Sequence, residues 1–125
     1  MGFPEPHLGE HMHSFGVVLR GELSESKWLC FLHTLTEAIG MTAAGAPAVW
    51  HYPMHGKGGN GTTIVLPITE SFLALDTWPD HRGAYLFICS CKPFDQFIVD
   101  RTATRFEMAV EHGEGRKFYA ELNLT

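Results

Sequence analysis

Three runs of β-forming residues follow one another closely in the middle of this 125-residue chain. They span Thr62 to Ile68, Phe72 to Trp78 and Ala84 to Cys89, and the last two are separated by the turn-forming segment at residues 79–83 (PDHRG). Apolar and β-branched runs bounded by Pro, Gly and Asp predict strands joined by turns. Connections this short join antiparallel neighbours, so we expect an antiparallel sheet.

Two segments with helical periodicity accompany these runs. Ser24 is suited to cap a helix, and Gly40 gives a stop signal; between them apolar residues recur at three- and four-residue spacing, namely Trp28, Phe31, Leu32, Leu35, Ala38 and Ile39. A second helical pattern opens at Pro93 and Phe94 and extends through Phe97 and Ile98 toward Phe106.

Further strands are predicted at Ser14 to Leu19 and at Ala48 to Met54, after a loose lead-in over residues 1–10. The order is strand, helix, several strands, helix. This order predicts an α+β fold, a two-layer sandwich in which two helices cover one face of an antiparallel sheet. A chain of this length is expected to form a single domain, residues 1–125.

Composition excludes several function classes. The hydrophobic content of 45% with 18% charged residues is that of an ordinary globular protein, and no apolar run has the length of a membrane span. A formal net charge of −5 with nine Lys plus Arg gives no basic stripe for nucleic acid. The first residues lack the pattern of a secretory signal, so we expect a cytoplasmic protein, and three cysteines fit reduced thiols.

The glycine-dense segment HGKGGNG, residues 55–61, invites a phosphate-binding interpretation. It lacks the GxxxxGK[ST] spacing, and no helical pattern starts directly after it. A loop beside a site is the interpretation that we favour.

Histidine and cysteine residues raise the question of a metal site. His7, His11 and His13 lie near the start of the chain, and Cys89 and Cys91 form a C-x-C pair. Zinc ligands usually come as C-x2-C or H-x3-H pairs, so we predict no metal site. We interpret Cys89 as a core residue and the histidines as structural or surface residues.

The segment Trp78-Pro79-Asp80 has two interpretations. It is either a buried aromatic residue followed by turn residues, or an indole that stacks on a flat ligand beside a carboxylate that receives hydroxyl groups.

Glu70-Ser71 precedes a strand, where a serine alone is usually a turn residue, and no G-x-S-x-G motif surrounds it. The wider pattern is more specific. The spacing of Glu70-Ser71, Thr77-Trp78-Pro79 with an acidic residue after it, and Cys91 resembles that of the small bacterial and archaeal S-adenosylmethionine decarboxylases, which are pyruvoyl enzymes made as proenzymes. The likeness includes Gly9-x-His11 before the first strand, and His55 and Gly61 before the next.

The resemblance implies self-cleavage between Glu70 and Ser71. It would give a β chain of residues 1–70 and an α chain of residues 71–125 that begins with a pyruvoyl group generated from Ser71. The serine hydroxyl would attack the preceding carbonyl, and elimination and hydrolysis would leave a ketone that withdraws electrons from a bound amine. Cys91 would return a proton to the product, in a pathway that supplies aminopropyl groups for polyamine synthesis. Members of this family form dimers of processed units, so we expect a homo-oligomer.

This chain departs from the family at two positions. Asp76 stands where the family has a histidine that assists elimination, and Lys57 stands where the family has an aromatic residue that sandwiches adenine. Thr63 keeps a hydroxyl at the place of a family serine. In a regular strand Ser71 and Asp76 would face opposite sides, and a bulge near the cleavage site would reconcile them.

The resemblance therefore implies catalytic roles for Ser71, Asp76 and Cys91, and substrate-binding roles for Trp78, Asp80 and Thr63. The first interpretation is a pyruvoyl-dependent decarboxylase of S-adenosylmethionine. An alternative keeps the chemistry with a basic amino acid, arginine or ornithine, as substrate. A third is an uncleaved, noncatalytic regulatory relative.

Overall fold

The structure, a computed structural model, describes residues 11–54, 57–111 and 117–123. Within these ranges it contains seven strands and two α-helices. The strands are β1 (His11–Arg20), β2 (Ala48–Met54), β3 (Lys57–Ile68), β4 (Ser71–Trp78), β5 (Gly83–Ser90), β6 (Ala109–Val110) and β7 (Lys117–Asn123), and the helices are α1 (Glu25–Ala38) and α2 (Phe97–Arg105).

The strands form one antiparallel sheet in the order β2-β3-β4-β5-β1-β6. Strand β7 pairs with β1 along His11 to Val17, and the short β6 pairs with the other end of β1. The predicted α+β sandwich with two helices is confirmed. Neither helix is long and apolar enough to cross a membrane.

Helix α1 begins and ends where the sequence predicts. The Ser24 side chain accepts a hydrogen bond from the Lys27 N–H at 3.3 Å, which satisfies one of the free donors of the first turn. Gly40, just past the end, has a φ of 79°, a conformation that glycine adopts without steric cost.

Three sequence-based expectations about the elements need correction. Residues 57–61 of the glycine-dense segment belong to β3 and are not a loop, because they extend the hairpin with β2. Helix α2 starts at Phe97, later than the pattern from Pro93 indicates. Strand β7 was not predicted at all. The predicted lead-in over residues 1–10 lies outside the described residues.

Alternation along the strands divides the sheet into two faces. Residues of one face pack with the helices in a single apolar core, whose largest fully buried side chains are Phe15, Leu19, Phe31, Leu32, Leu35, Ile64, Leu66, Leu73, Leu75, Leu86, Ile88 and Val99. The hydrogen-bonded pair of His51 and Glu25 joins β2 to α1 on this same face. Burial of this face provides the main favourable term in folding.

The opposite face of the sheet, called here the open face, is rich in exposed aromatic side chains. They come from four different strands and are Trp50, Tyr52, Phe72, Trp78, Tyr85, Phe87 and Phe118. Cys89 lies on this face in phase with Tyr85 and Phe87, and it is only partly buried, so the core position expected for it is wrong. An apolar area of this kind on a folded chain indicates a binding surface.

Candidate active site

The predicted cleavage bond lies at the tip of a tight hairpin. Ile68 of β3 pairs with Ser71 of β4, so Thr69 and Glu70 form a two-residue connection between the strands. The ladder from Thr63 opposite Asp76 to this pair is continuous. Cleavage after Glu70 would cut the turn and leave this ladder intact, so the two fragments would stay associated.

Neighbouring segments hold this turn from both sides. The Thr69 N–H donates to the carbonyl of Thr42 at 2.9 Å, and the Thr69 hydroxyl donates to a carboxylate oxygen of Glu70 at 2.8 Å. On the other side, the N–H of Cys91 donates to the main-chain carbonyl of Glu70 at 3.1 Å. The carbonyl that the Ser71 hydroxyl would attack is therefore polarised by a fixed main-chain donor.

Strand register explains why Cys91 reaches this position. Ser71 is paired with Ser90 across the β4–β5 ladder, and Cys91 is the next residue along the chain. The structure thus brings together Glu70, Ser71 and Cys91, three of the residues selected from the sequence.

The backbone at Ser71 has an unusual conformation. Its φ is 155°, a positive value that residues with a side chain rarely adopt. Such a conformation costs about 1–3 kcal/mol, and it is relieved when the adjoining peptide bond is broken. The strain is therefore located at the bond where the sequence predicts cleavage.

Asp76 lies at the other end of β4, in a separate cluster. One of its carboxylate oxygens accepts a hydrogen bond from the Thr63 hydroxyl at 2.9 Å, and the other accepts from the indole N–H of Trp78 at 3.2 Å. Thr63 and Asp76 are cross-strand partners on the open face, and Trp78 follows two residues along the same face. Both oxygens of the carboxylate are thus occupied by donors.

No bulge brings Asp76 toward Ser71. Strand β4 keeps one register with β3 and with β5 from Ser71 onward, so the two residues point to opposite faces. Five residues of extended strand separate them by about 16 Å. Within one chain, Asp76 is therefore too distant to act on the bond before Ser71, and the expectation that a bulge reconciles them is wrong.

The two other residues selected as substrate-binding are also distant from Ser71. Trp78 is seven positions along β4, about 23 Å away, and its side chain is exposed rather than buried. Asp80 follows in an exposed 3-10 turn, Pro79–His81. The structure thus separates a cleavage end, with Glu70, Ser71 and Cys91, from an aromatic end, with Thr63, Asp76, Trp78 and Asp80.

A cavity of about 220 Å³ lies beside Trp78 on the side of β5 and β1. It is lined by Val18, Arg20, Trp78, His81, Gly83, Ala84 and Tyr85. The Arg20 guanidinium is held there by an ion pair with Glu111 and by a hydrogen bond to the main-chain carbonyl of His81 at 2.7 Å. The cavity belongs to the aromatic end and does not include Ser71.

His13 occupies the row of paired residues that contains Ser71. It is paired with Ser90, which is also the partner of Ser71. Its buried ring is hydrogen-bonded to the hydroxyl of Tyr119 at 2.9 Å, on the side away from the turn. Burial raises the pKa of Tyr119; a hydrogen bond with the main chain of Phe94 opposes this rise and the nearby Glu121 adds to it. These contacts agree with a structural interpretation of His13.

Within the described parts of the chain, no three His, Cys, Asp or Glu side chains are grouped so that they could hold a metal ion. His7 and His55 lie outside those parts.

Sequence reasoning missed two contributors to the cleavage end. They are the main-chain N–H of Cys91 and the carbonyl of Thr42, which act through the backbone and leave no side-chain signal. The C-x-C spacing indicates a role for the thiols of Cys89 and Cys91, but the contact with Glu70 is made by the main-chain N–H of Cys91.

Comparison with known proteins agrees with this fold. The crystal structure of the adenosylmethionine decarboxylase from Aquifex aeolicus VF5 superposes with a TM-score of 0.60, covering 91% of this chain and 89% of that one at 15% identity. At this identity the match shows a shared fold. No curated protein sequence matches the chain. The sequence profile of the family described as S-adenosylmethionine decarboxylase matches residues 24–112, a segment that contains both ends of the candidate site. By this match the chain belongs to the S-adenosylmethionine decarboxylase family.

Proposed function

We propose that this protein is a self-processing, pyruvoyl-dependent decarboxylase of S-adenosylmethionine that supplies the aminopropyl donor for spermidine synthesis. The observation that supports it most directly is the hydrogen bond from the Cys91 N–H to the Glu70 carbonyl at 3.1 Å, next to a residue with a φ of 155°. The hydrogen bond ends the β4–β5 ladder at the carbonyl that would be attacked, and strand pairing does not require the positive φ. Family membership supports the decarboxylase activity itself.

The residues of the cleavage end fit the formation of a pyruvoyl group. The Ser71 hydroxyl attacks the carbonyl carbon of Glu70, the negative charge develops on the oxygen that accepts from Cys91, and the C–N bond breaks to leave an ester and an amine. Loss of the α proton of residue 71 then expels the Glu70 carboxylate. Water replaces the nitrogen of the resulting enamine, releasing ammonia and leaving a ketone at residue 71.

Once formed, the pyruvoyl group supplies an electron sink for the pair released when CO2 leaves the substrate. The chain's own residues would position the substrate and handle protons. A thiol can donate its proton, so Cys91 is suited to give a proton to the product carbon. Its place directly after the partner of Ser71 supports this role.

The separation of the two ends supports a site shared between two chains. A twofold axis through the middle of the open face would place the aromatic end of one chain over the cleavage end of its partner. The exposed aromatic side chains of the open face would then be buried between the two sheets, which pack about 10 Å apart in sandwiches. In this arrangement Thr63, Asp76, Trp78 and Asp80 of one chain would bind substrate for the pyruvoyl group at the start of the partner's β4. The Ser71 side chain of the uncut chain points to the opposite face, so Asp76 does not assist processing across the interface.

A mixed dimer tests this arrangement. Neither the Ser71→Ala chain nor the Trp78→Leu chain should decarboxylate S-adenosylmethionine alone. When they are co-expressed, half of the dimers formed at random are mixed, and each mixed dimer contains one complete shared site; purification through two different tags then isolates these mixed dimers. Activity of the unseparated pool should return to about a quarter of the wild-type rate. If the mixed dimer is as inactive as its parents, each chain must contain its own complete site.

The substrate is tested with carboxyl-labelled compounds. We expect purified protein to release labelled CO2 from S-adenosylmethionine and to leave arginine and ornithine unchanged. Both oxygens of Asp76 already accept hydrogen bonds, so this carboxylate does not distinguish between the two substrate classes. Release from arginine or ornithine alone would establish the alternative decarboxylase. A chain that stays uncleaved and releases no labelled CO2 from any of the three compounds would establish the noncatalytic alternative.

A further inference from the structure

Ser90 is a buried hydroxyl residue directly opposite the serine of the cleavage bond. Its side chain is fully buried, and it lies with Ser71, its partner across the β4–β5 ladder, on the face of the sheet that packs with the helices. The hydrogen bond from the Cys91 N–H to the Glu70 carbonyl flanks this pair. The pair is therefore of the narrow, non-hydrogen-bonded kind, in which Cα atoms are about 4.5 Å apart. Hydroxyl side chains at such positions form hydrogen bonds across the strands.

The Ser90 hydroxyl also holds the peptide segment that contains the Cys91 N–H. It accepts a hydrogen bond from the Lys92 N–H and donates one to the Lys92 carbonyl, each at 2.9 Å. The Lys92 ammonium donates in turn to the carbonyl of Gly40, just past the end of α1, at 3.1 Å. Cys91 lies between two residues that are tied together in this way, so its N–H is directed at Glu70 before the reaction begins. A donor that is oriented in advance needs no reorganisation when charge develops on the carbonyl oxygen.

The Ser90 oxygen has room for one more hydrogen bond. A hydroxyl has one donor and two acceptor positions, and Lys92 occupies the donor and one acceptor. Strand register places the Ser71 hydroxyl opposite the remaining acceptor position. Because Ser90 is buried, a hydrogen bond made there is stronger than one made in water. A Ser71 hydroxyl that donates to Ser90 keeps its lone pairs for the adjoining carbonyl carbon of Glu70.

We propose that Ser90 is a positioning residue for self-cleavage, which orients both the Ser71 nucleophile and the main-chain donor that stabilises the oxyanion. The inference rests on the proposed function, since it assumes the attack of Ser71 on the Glu70 carbonyl. As the bond from the Ser71 oxygen to that carbonyl carbon forms and the C–N bond breaks, the hydroxyl proton passes to the nitrogen of residue 71. Ser90 keeps its own proton during this shift. Orientation of the nucleophile thus comes from the helix-covered face, since Asp76 lies on the open face at the other end of β4.

The rate of self-cleavage in variants of residue 90 tests this role. Chains are synthesised in a cell-free reaction and sampled over time by intact-mass spectrometry. Ser90→Ala should split after Glu70 about ten-fold or more slowly than the parent. Ser90→Thr keeps the hydroxyl and should process within about three-fold of the parent, whereas Ser90→Val, which has the shape of threonine without the hydroxyl, should be as slow as the alanine variant.

Thr36→Val is the matched control. Thr36 is also a buried residue whose hydroxyl donates to a main-chain carbonyl, that of Leu32 in α1 at 2.7 Å. The substitution removes this hydrogen bond from the core at a distance from the cleavage end, and the variant should process at the parent rate.

Neutral hydroxylamine identifies the step that depends on Ser90. It cuts esters and leaves ordinary peptide bonds intact, so it should not speed the splitting of Ser90→Ala, in which formation of the ester is the slow step. If hydroxylamine restores the parent rate, the ester forms without Ser90 and the proposal is overturned.

Equal rates for the threonine and valine variants would also overturn the proposal. These two side chains have the same shape, so a difference between them reports the hydroxyl and not the packing of the core. A parent chain that stays whole would remove the proposed function and this role together. A parent that splits, with no effect of the hydroxyl at residue 90, would remove only the role of Ser90.

Discussion

The Ser71→Ala chain should remain in one piece, whereas the parent chain should give two fragments, residues 1–70 and 71–125. Alanine has no hydroxyl to attack the Glu70 carbonyl, and without that attack the peptide bond has no route to the ester. Intact-mass spectrometry of freshly purified protein measures the outcome. The 71–125 fragment of the parent should lack a free N-terminal amine and should react with carbonyl-trapping reagents.

Thr69→Val is the matched control for this change. It removes the hydroxyl of a residue in the same turn, whose only described side-chain contact is with the carboxylate of Glu70. This variant should still split after Glu70. Cleavage of Ser71→Ala at the same bond would show that the serine is not the nucleophile.

Two substitutions at Cys91 should have different effects, because the thiol and the peptide N–H have different roles. Cys91→Ala keeps the N–H that donates to Glu70, so the chain should still process, but decarboxylation should fall by about 10²-fold or more with loss of the proton donor. Cys91→Pro removes the N–H, and the rate of processing should fall about 10²- to 10³-fold. Time-resolved intact mass measures processing, and labelled CO2 measures decarboxylation.

Circular dichroism and thermal unfolding show whether the Cys91→Pro chain keeps its fold. Proline at Cys91 removes the last bond of the β4–β5 ladder, which flanks the Ser71–Ser90 pair, and leaves the rest of the ladder intact. Equal processing rates for the folded proline and alanine variants would contradict the role assigned to the main-chain donor.

Much of the fold follows from local sequence signals. Ser24 and Gly40 define α1 because capping and left-handed backbone conformations depend on individual residues. Strand β2 has the predicted bounds, Ala48–Met54, because a short β-rich run ends at a glycine-dense segment. Local signals failed where strand formation depends on pairing with a neighbour. Residues 57–61 form a strand because β2 lies beside them, and β7 forms because it pairs with β1.

The candidate site divides in the same way. The resemblance of the spacing of Glu70, Ser71 and Cys91 to that of the family selected the cleavage end from the sequence, where a self-cleaving serine would directly follow the carbonyl that it attacks. The tertiary structure decided which of the other selected residues belong with them. The register that pairs Ser71 with Ser90 places the Cys91 N–H on the Glu70 carbonyl, and the regular extension of β4 moves Asp76 and Trp78 to the far end. Chemistry is thus specified by residue identity, but proximity depends on strand pairing, which sequence spacing does not fix.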